Sequence, residues 1–252
     1  MLSIKNLNFS YKEHVNVLRD ISLSVEDKAI FFLIGANGSG KSTLLKSILG
    51  LVEPDNGYVE INNIEMNRQN RLPLMHHVGV FLENASFYSH LSVRENIDLV
   101  GSYYKVKQEQ IDEVLDILNL ETVSKSKAGT LSTGYKQRLG LAISLVHKPK
   151  IVFLDEPTNG LDPQSIISFR EIILKLNQTL GVTFFITTHL LAEVERLATE
   201  VSIIRQGTLI DTFKMTELAL SAIGSNNVNT HFSNLEHYYL NKCAEYDKTC
   251  TT

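Results

Sequence analysis

Apolar and polar residues alternate from Met1 to about Val25, with Leu2 and Ile4 in phase and then Ile21, Leu23 and Val25, the period of half-buried antiparallel strands. Val59 to Ile64, behind Pro54 and Asn56-Gly57, predicts another such strand. Ile30 to Ile34 is apolar without a break and reads as a fully buried strand. The period then becomes helical: Lys41 to Leu49 places Leu44, Leu45, Ile48 and Leu49 on the inner face, and Gly50 stops the helix. Val78 to Phe81 is a short apolar strand, and from Glu83 to about Lys148 the pattern is mostly helical. Ile111, Val114, Leu115 and Leu118 mark one helix face there, and Leu139, Ala142, Ile143 and Val146 mark another. Ile151 to Leu154 and Phe184 to Thr187 predict parallel core strands, separated by a helix that opens at Asp162-Pro163 with a good N-cap and a proline in its first position. This is a βαβ unit. Val201 to Arg205 and Thr208 to Asp211 predict a terminal hairpin around Gln206-Gly207. The tail from Ser221 to Thr252 is richer in Asn, Ser and Thr, with Leu235, Tyr238, Tyr239 and Leu240 as its anchor.

Length and composition narrow this picture. The chain has 252 residues, 43% of them hydrophobic, which is enough for one substantial core with a smaller lobe. Lys+Arg 24 against Asp+Glu 28 leaves a net charge of −4 with no basic block, so nucleic acid is not expected as the main partner. No apolar run approaches the roughly 18 residues of a spanning helix, and MLSIKNLNFSYK lacks an apolar signal core. The expectation is a cytoplasmic chain with no direct membrane insertion. Cys243 and Cys250 match neither a redox pair nor a zinc cluster and read as free thiols.

The candidate chemistry begins with GANGSGKST, Gly35 to Thr43, which fits G-x-x-x-x-G-K-[ST]. In that pattern Gly35, Ala36, Asn37, Gly38, Ser39 and Gly40 let backbone N–H groups wrap a polyphosphate, Lys41 reaches the β/γ-phosphates, and Ser42 ligates Mg²⁺. A strand before the loop and a helix after it are the context that the motif requires, because the helix N-terminus supplies positive potential. Ile151 to Leu154 ends in Asp155 and Glu156, which puts two carboxylates at the C-terminal edge of a strand. Asp155 suits Mg²⁺, and Glu156 suits a general base that deprotonates the attacking water. His189, at the end of the next predicted strand, can donate a hydrogen bond to the γ-phosphate. Leu131-Ser132-Thr133-Gly134-Tyr135 precedes a strongly helical run, so Ser132 and Gly134 are expected to cap a helix N-terminus that favours an anion.

Taken together, these motifs resemble the nucleotide-binding subunits of ATP-binding cassette (ABC) transporters, over about Leu2 to Asp211. The resemblance implies an α/β fold, a P-loop NTPase with a RecA-like core of mainly parallel strands, an N-terminal antiparallel β subdomain and a helical subdomain at about 84–148. The nucleotide-binding domain would cover 1–220 and a short C-terminal extension 221–252. Asn159-Gly160-Leu161-Asp162 is similar to the loop that communicates between the two sites of a dimer, His189 to the switch histidine, and Tyr11 to the ring that stacks on adenine. LSTGY resembles the signature LSGGQ, in which the serine and the second glycine contact the γ-phosphate held by the other subunit. Thr133 and Tyr135 depart from that signature. Glu83 stands where the family usually has a glutamine, and its carboxylate can still ligate Mg²⁺. Glu83 with LSTG-x-KQRL is similar to a bacterial branch that includes antimicrobial-peptide, bacitracin-type and lantibiotic immunity exporters.

The resemblance implies ATP and Mg²⁺ as ligands, a head-to-tail homo- or heterodimer with ATP in its interface, and a separate membrane permease. The permease is expected to dock at Glu83 to Leu91, where Phe87, Tyr88 and Leu91 offer apolar anchors. The chain would then act as an ATPase at the inner face of the membrane, with Glu156, His189 and Lys41 catalytic. Two rival readings remain at this level: a soluble mechanoenzyme of the same superfamily, and a non-hydrolysing module in which ATP holds an assembly closed.

Overall fold

Two sheets follow from the two kinds of apolar pattern. The computed structural model describes residues 1–11, 15–82, 87–218 and 234–250. Its chain divides into two units, Met1–Arg71 with Phe185–Thr252, and Leu72–Phe184. Alternating segments form a four-stranded antiparallel sheet in the first unit, made of β1 (Leu2–Tyr11), β2 (Val15–Val25), β4 (Asn56–Ile61) and β5 (Ile64–Glu65) in the order β2-β1-β4-β5. Leu2 pairs with Val25 on one side and Ile61 on the other, so the apolar residues of three strands share a buried face.

The continuous apolar runs form a second, mostly parallel sheet. Its strands are β3 (Ile30–Ile34), β6 (Val78–Phe81), β7 (Ile151–Asp155), β8 (Thr183–Thr188), β9 (Glu200–Arg205) and β10 (Thr208–Lys214), in the order β10-β9-β3-β8-β7-β6. Every residue of β3, β7 and β8 is buried, as a strand covered on both faces requires. The boundary between the two units falls inside β8.

One strand expectation needs correcting. Val59 to Ile64 is not continuous: β4 stops at Ile61, and Asn62 and Asn63 take φ values of 53° and 61°, which turn the chain before β5. Asparagine tolerates that left-handed region better than most residues, so the pair is a turn inside an apolar-looking run.

The helices that lie wholly within the described residues include α1 (Lys41–Ile48), α2 (Arg71–Met75), α3 (Val93–Tyr103), α4 (Gln108–Ile117), α5 (Thr133–Leu145), α6 (Pro163–Leu180), α7 (Leu191–Leu197) and α8 (Asn234–Cys250). Ser92 and Glu95 close a capping box at the start of α3. Asp162 caps α6 by accepting from Ser165 N, and Gly181 in the left-handed region ends it. The apolar residues of α5 surround the helix rather than forming one stripe, since Leu141 and Leu145 are buried while the expected Ile143 is only half-buried. A helix packed on several sides loses its amphipathic period. In the tail, Leu235 and Cys243 are buried and Leu240 is exposed, so Cys243, a free thiol, replaces Leu240 as an anchor of α8. Among the described residues, no helix is long and apolar enough to cross a membrane.

Candidate functional site

In the first unit, β3 delivers the chain into the Gly35–Gly40 loop, and two neighbours shape that loop. A Cβ at Gly35 would stand 2.4 Å from the Ile204 carbonyl oxygen of β9, so only glycine lets the loop lie against that strand. The turn after β9 closes over the loop, with Gly207 N donating to the Ser39 carbonyl at 2.9 Å. Gly38 and Gly40 carry φ values of 77° and 109°, and α1 begins directly after Gly40 with no side chain capping it. Gly40 has no side chain to cap the helix, and a glycine-led helix N-terminus of this kind suits an anion. Lys41 is buried, and its Nζ donates to the carbonyls of Gly35 and Ala36 at 2.8 and 3.3 Å, which folds the ammonium along the loop. Ser39 Oγ is buried with no hydrogen-bond partner among the described residues. Such an atom is costly unless something outside the chain satisfies it, and a phosphate oxygen would. Ala36, Asn37 and Gly38 are exposed, and Ser42 and Thr43 are half-buried. At the end of β1, Tyr11 is 44% exposed, supported edge-on by Phe9 at a centroid distance of 4.7 Å. That leaves its ring surface available for stacking. His189 is exposed one residue beyond β8, in a turn where Leu190 N donates to Thr188 Oγ1 at 3.0 Å.

In the second unit, β7 ends at Asp155, 5% exposed, and Glu156 follows at 8%. Glu156 has φ 47°, a left-handed conformation that costs a residue with a Cβ about 1–3 kcal/mol. The extended strand therefore ends at Asp155, and Glu156 begins the turn that follows. Oxygen donors of the Asp155 and Ser42 type are the kind that magnesium takes in small number, leaving its other positions to phosphate and water. No cluster of three or more His, Cys, Asp or Glu side chains suited to a metal occurs among the described residues. Glu83 lies outside the described residues.

The second unit also holds the LSTGY segment, and here one expectation changes. Ser132 alone is the N-cap of α5, accepting from Tyr135 N at a long 3.4 Å, while Gly134 lies inside the first turn. The glycine is needed for another reason: a Cβ there would stand 2.8 Å from Ser165 Oγ at the start of α6. Ser165 is itself held by Asp162, which accepts from its N at 3.0 Å and its Oγ at 2.6 Å. Those two bonds hold the Asp162 carboxyl below its ordinary pKa. Farther along, Arg138 donates to Ser168 Oγ at 2.8 Å and lies over the Tyr135 ring at 5.4 Å. The bulky Tyr135 is thus covered by the arginine, and the signature helix is tied to the helix after Asn159-Gly160-Leu161-Asp162.

Sequence reasoning missed Asn96, which is 2% exposed. Its Oδ1 accepts from Tyr88 N at 2.7 Å and its Nδ2 donates to Tyr88 O at 3.0 Å, pinning the backbone of the expected docking segment. That segment is also tied to the residues before the signature, through Ala128 N to Leu91 O and Gly129 N to Ser89 O, each 2.9 Å. Phe87 and Leu91 are half-buried, whereas Tyr88 is 55% exposed. An asparagine within an otherwise apolar helix face was the only signal for Asn96. Ser165 and Gly207 carried none.

A glycine loop ending in lysine on a buried parallel strand, with a carboxylate pair at the end of another such strand, defines a P-loop nucleotide-binding fold. Comparison with known proteins narrows the class. The family model of the ABC transporter matches residues 18–159, and a model of an AAA domain matches 125–195. The chain is 36% identical over 234 residues to the lantibiotic transport ATP-binding protein SrtF of Streptococcus pyogenes, covering 93% of this chain and 96% of that one. It is 37% identical over 199 residues to the bacitracin transport ATP-binding protein BcrA of Bacillus licheniformis, covering 79% of this chain. The match spans 65% of that relative's length. Among solved structures, cbiO1 from Clostridium perfringens, part of the ABC transporter complex cbiONQ, superposes with a TM-score of 0.82 at 25% identity over 94% of this chain and 97% of that one. A dimeric ATP-binding cassette in a post-hydrolysis state with ADP and Pi superposes with a TM-score of 0.77 at 25% identity, over 85% of this chain and 99% of that one. The chain belongs to the ABC transporter family, as an ATP-binding domain.

Proposed function

We propose that this chain is the ATP-hydrolysing subunit of an ABC exporter that moves an antimicrobial peptide through a separate membrane permease. It would work as a dimer at the cytoplasmic face of the membrane. The observation that carries this reading is the pairing of two unlike helix N-termini: α1, uncapped and preceded by the glycine loop, and α5, exposed at Ser132 and fitted with a glycine at its second position. One chain has use for both when the second completes the phosphate site of another copy. The relatives named for bacitracin and lantibiotic transport support the cargo class.

In this mechanism the loop N–H groups and Lys41 hold the β/γ-phosphates, and Lys41 exchanges the Gly35 and Ala36 carbonyls for phosphate oxygens. Tyr11 stacks on the base. Ser42 and Asp155, with Glu83, would hold Mg²⁺, which when bound neutralises charge on the transferring phosphoryl group. Glu156 takes the proton from the attacking water, and His189 donates to the γ-phosphate oxygens. Ser132 and the first-turn N–H groups of α5 engage the same phosphate from the partner copy. Loss of the γ-phosphate removes the contacts that bridge the copies, so the dimer opens. The permease would press on Tyr88 and its neighbours, and the Ser89–Gly129 and Leu91–Ala128 bonds would carry that movement to the residues before Ser132.

Glu156→Gln tests the chemistry. It should bind ATP normally, lower turnover at least about 100-fold, and accumulate as a dimer in ATP by sedimentation. Unchanged turnover would remove Glu156 as the base. Phe87→Ala with Tyr88→Ala tests the docking surface: co-purification with the permease and permease-stimulated ATPase should both fall, and wild-type values would place docking elsewhere. Raised or unaltered peptide sensitivity in cells lacking the chain decides the cargo.

A further inference from the structure

The C-terminal helix α8 lies outside every motif above, yet it is bound to the first unit at three levels. At its start, Leu235 is fully buried and its N–H donates to Glu195 Oε1 of α7 at 3.1 Å. At mid-helix, Tyr238 OH donates to Asp211 Oδ2 of β10 at 2.5 Å, Lys242 reaches the same carboxylate at 3.5 Å, and Phe213 packs edge-on against the Tyr238 ring. At its end, Asp247 receives both Nε and Nη2 of Arg205 in a bidentate pair, at 2.7 and 2.5 Å. Forked arginine–carboxylate pairs fix geometry as well as charge.

Arg205 is not a remote anchor. It follows Ile204, whose carbonyl touches Gly35, and it opens the turn whose Gly207 N donates to the Ser39 carbonyl. The turn has no slack, since a Cβ at Gly207 would stand 2.0 Å from the Val17 carbonyl and Arg19 N donates to Gly207 O at 2.7 Å. Whatever moves Arg205 therefore moves both ends of the phosphate loop.

We infer that Asp247 of the C-terminal helix is a positioning residue for ATP binding, holding the phosphate loop in its nucleotide-ready shape through the Arg205–Gly207 turn. The inference rests on the reading of Gly35–Thr43 as the ATP site. A loop already held in the bound conformation binds without the cost of ordering itself, so its loss weakens affinity rather than the chemical step. Glu156 follows β7 and makes no part of the Arg205–Gly207 turn, so turnover at saturating ATP is unaffected.

The experiment uses the full chain with Mg-ATP, measuring the ATP Kd by equilibrium binding, KM and kcat by phosphate release, and Tm. Asp247→Ala removes the pair, and Asp247→Glu restores a carboxylate. Leu240→Ser, exposed on the same helix, is the control. Asp247→Ala should raise Kd and KM about fivefold with kcat within twofold of wild type, Asp247→Glu should recover most of that loss, and Leu240→Ser should change nothing. Lys41→Ala separates the two readings. Lost ATP binding in Lys41→Ala, with wild-type Kd in Asp247→Ala, overturns this inference alone. Wild-type ATP affinity in Lys41→Ala overturns the ATP-site assignment and this inference with it. A lower Tm without a change in Kd reduces α8 to a stabilising element and also overturns it.

Discussion

The N-termini of α1 and α5 are both expected to meet phosphate, and they are built in opposite ways. α1 follows left-handed glycines, has no side-chain cap, and is braced by backbone from β9 and the turn after it. α5 has an ordinary serine cap, exposed and weakly made at 3.4 Å, and is braced by side chains, Ser165 against Gly134 and Ser168 against Arg138. A site that must hold a nucleotide by itself needs donors fixed in advance by backbone, because reorganisation subtracts from affinity. A surface that meets the nucleotide only when two copies close can be looser. Its supports are side chains that yield.

That contrast predicts graded effects. The largest belongs to α1: Lys41→Ala should weaken ATP binding about 100-fold by equilibrium titration, since a buried charged donor is lost. Ser132→Ala should leave the Kd of the monomer unchanged, and an equal loss in both variants would break the contrast. Gly35→Ala should destabilise by about 1–3 kcal/mol in denaturant unfolding, because the Ile204 carbonyl is backbone and cannot rotate away. Gly134→Ala should cost less, under about 1 kcal/mol, and Ser165→Ala should relieve that cost in the double variant, since a hydroxyl can turn aside. The smallest effect is that of Ser132→Ala on stability, about 1 kcal/mol or less for a weakly made cap. Its consequence should show in ATP-dependent dimerisation, measured by sedimentation, rather than in Tm.

Much of the local geometry was legible in the sequence. The glycine loop before α1, the strand end at Asp155 and the Asp162-Pro163 helix start were readable because each depends on contacts within a few residues: glycine conformations, a strand end, a cap. Errors came where several elements share one segment. Asn62-Asn63 turned a predicted strand because two side chains that tolerate φ > 0 outweighed the flanking apolar residues. The one-sided face expected for α5 was wrong because the helix is surrounded, which periodicity detects poorly. Gly134 is not part of the cap that the sequence predicts, and its steric reason sits some thirty positions away at Ser165.

Short-range patterns were enough to mark a glycine loop before a helix, the carboxylates that end a buried strand, and the family these motifs belong to. Local rules suffice there, since glycine freedom, capping and strand burial are written within short windows. What braces these features comes from packing alone. Ile204 and Gly207 brace the phosphate loop, Asn96 pins the Tyr88 segment, and Asp247 grips Arg205, all from distant parts of the chain. Such contacts have no local signature, because the same glycine, asparagine or aspartate would read as solvent-facing until packing closes around it.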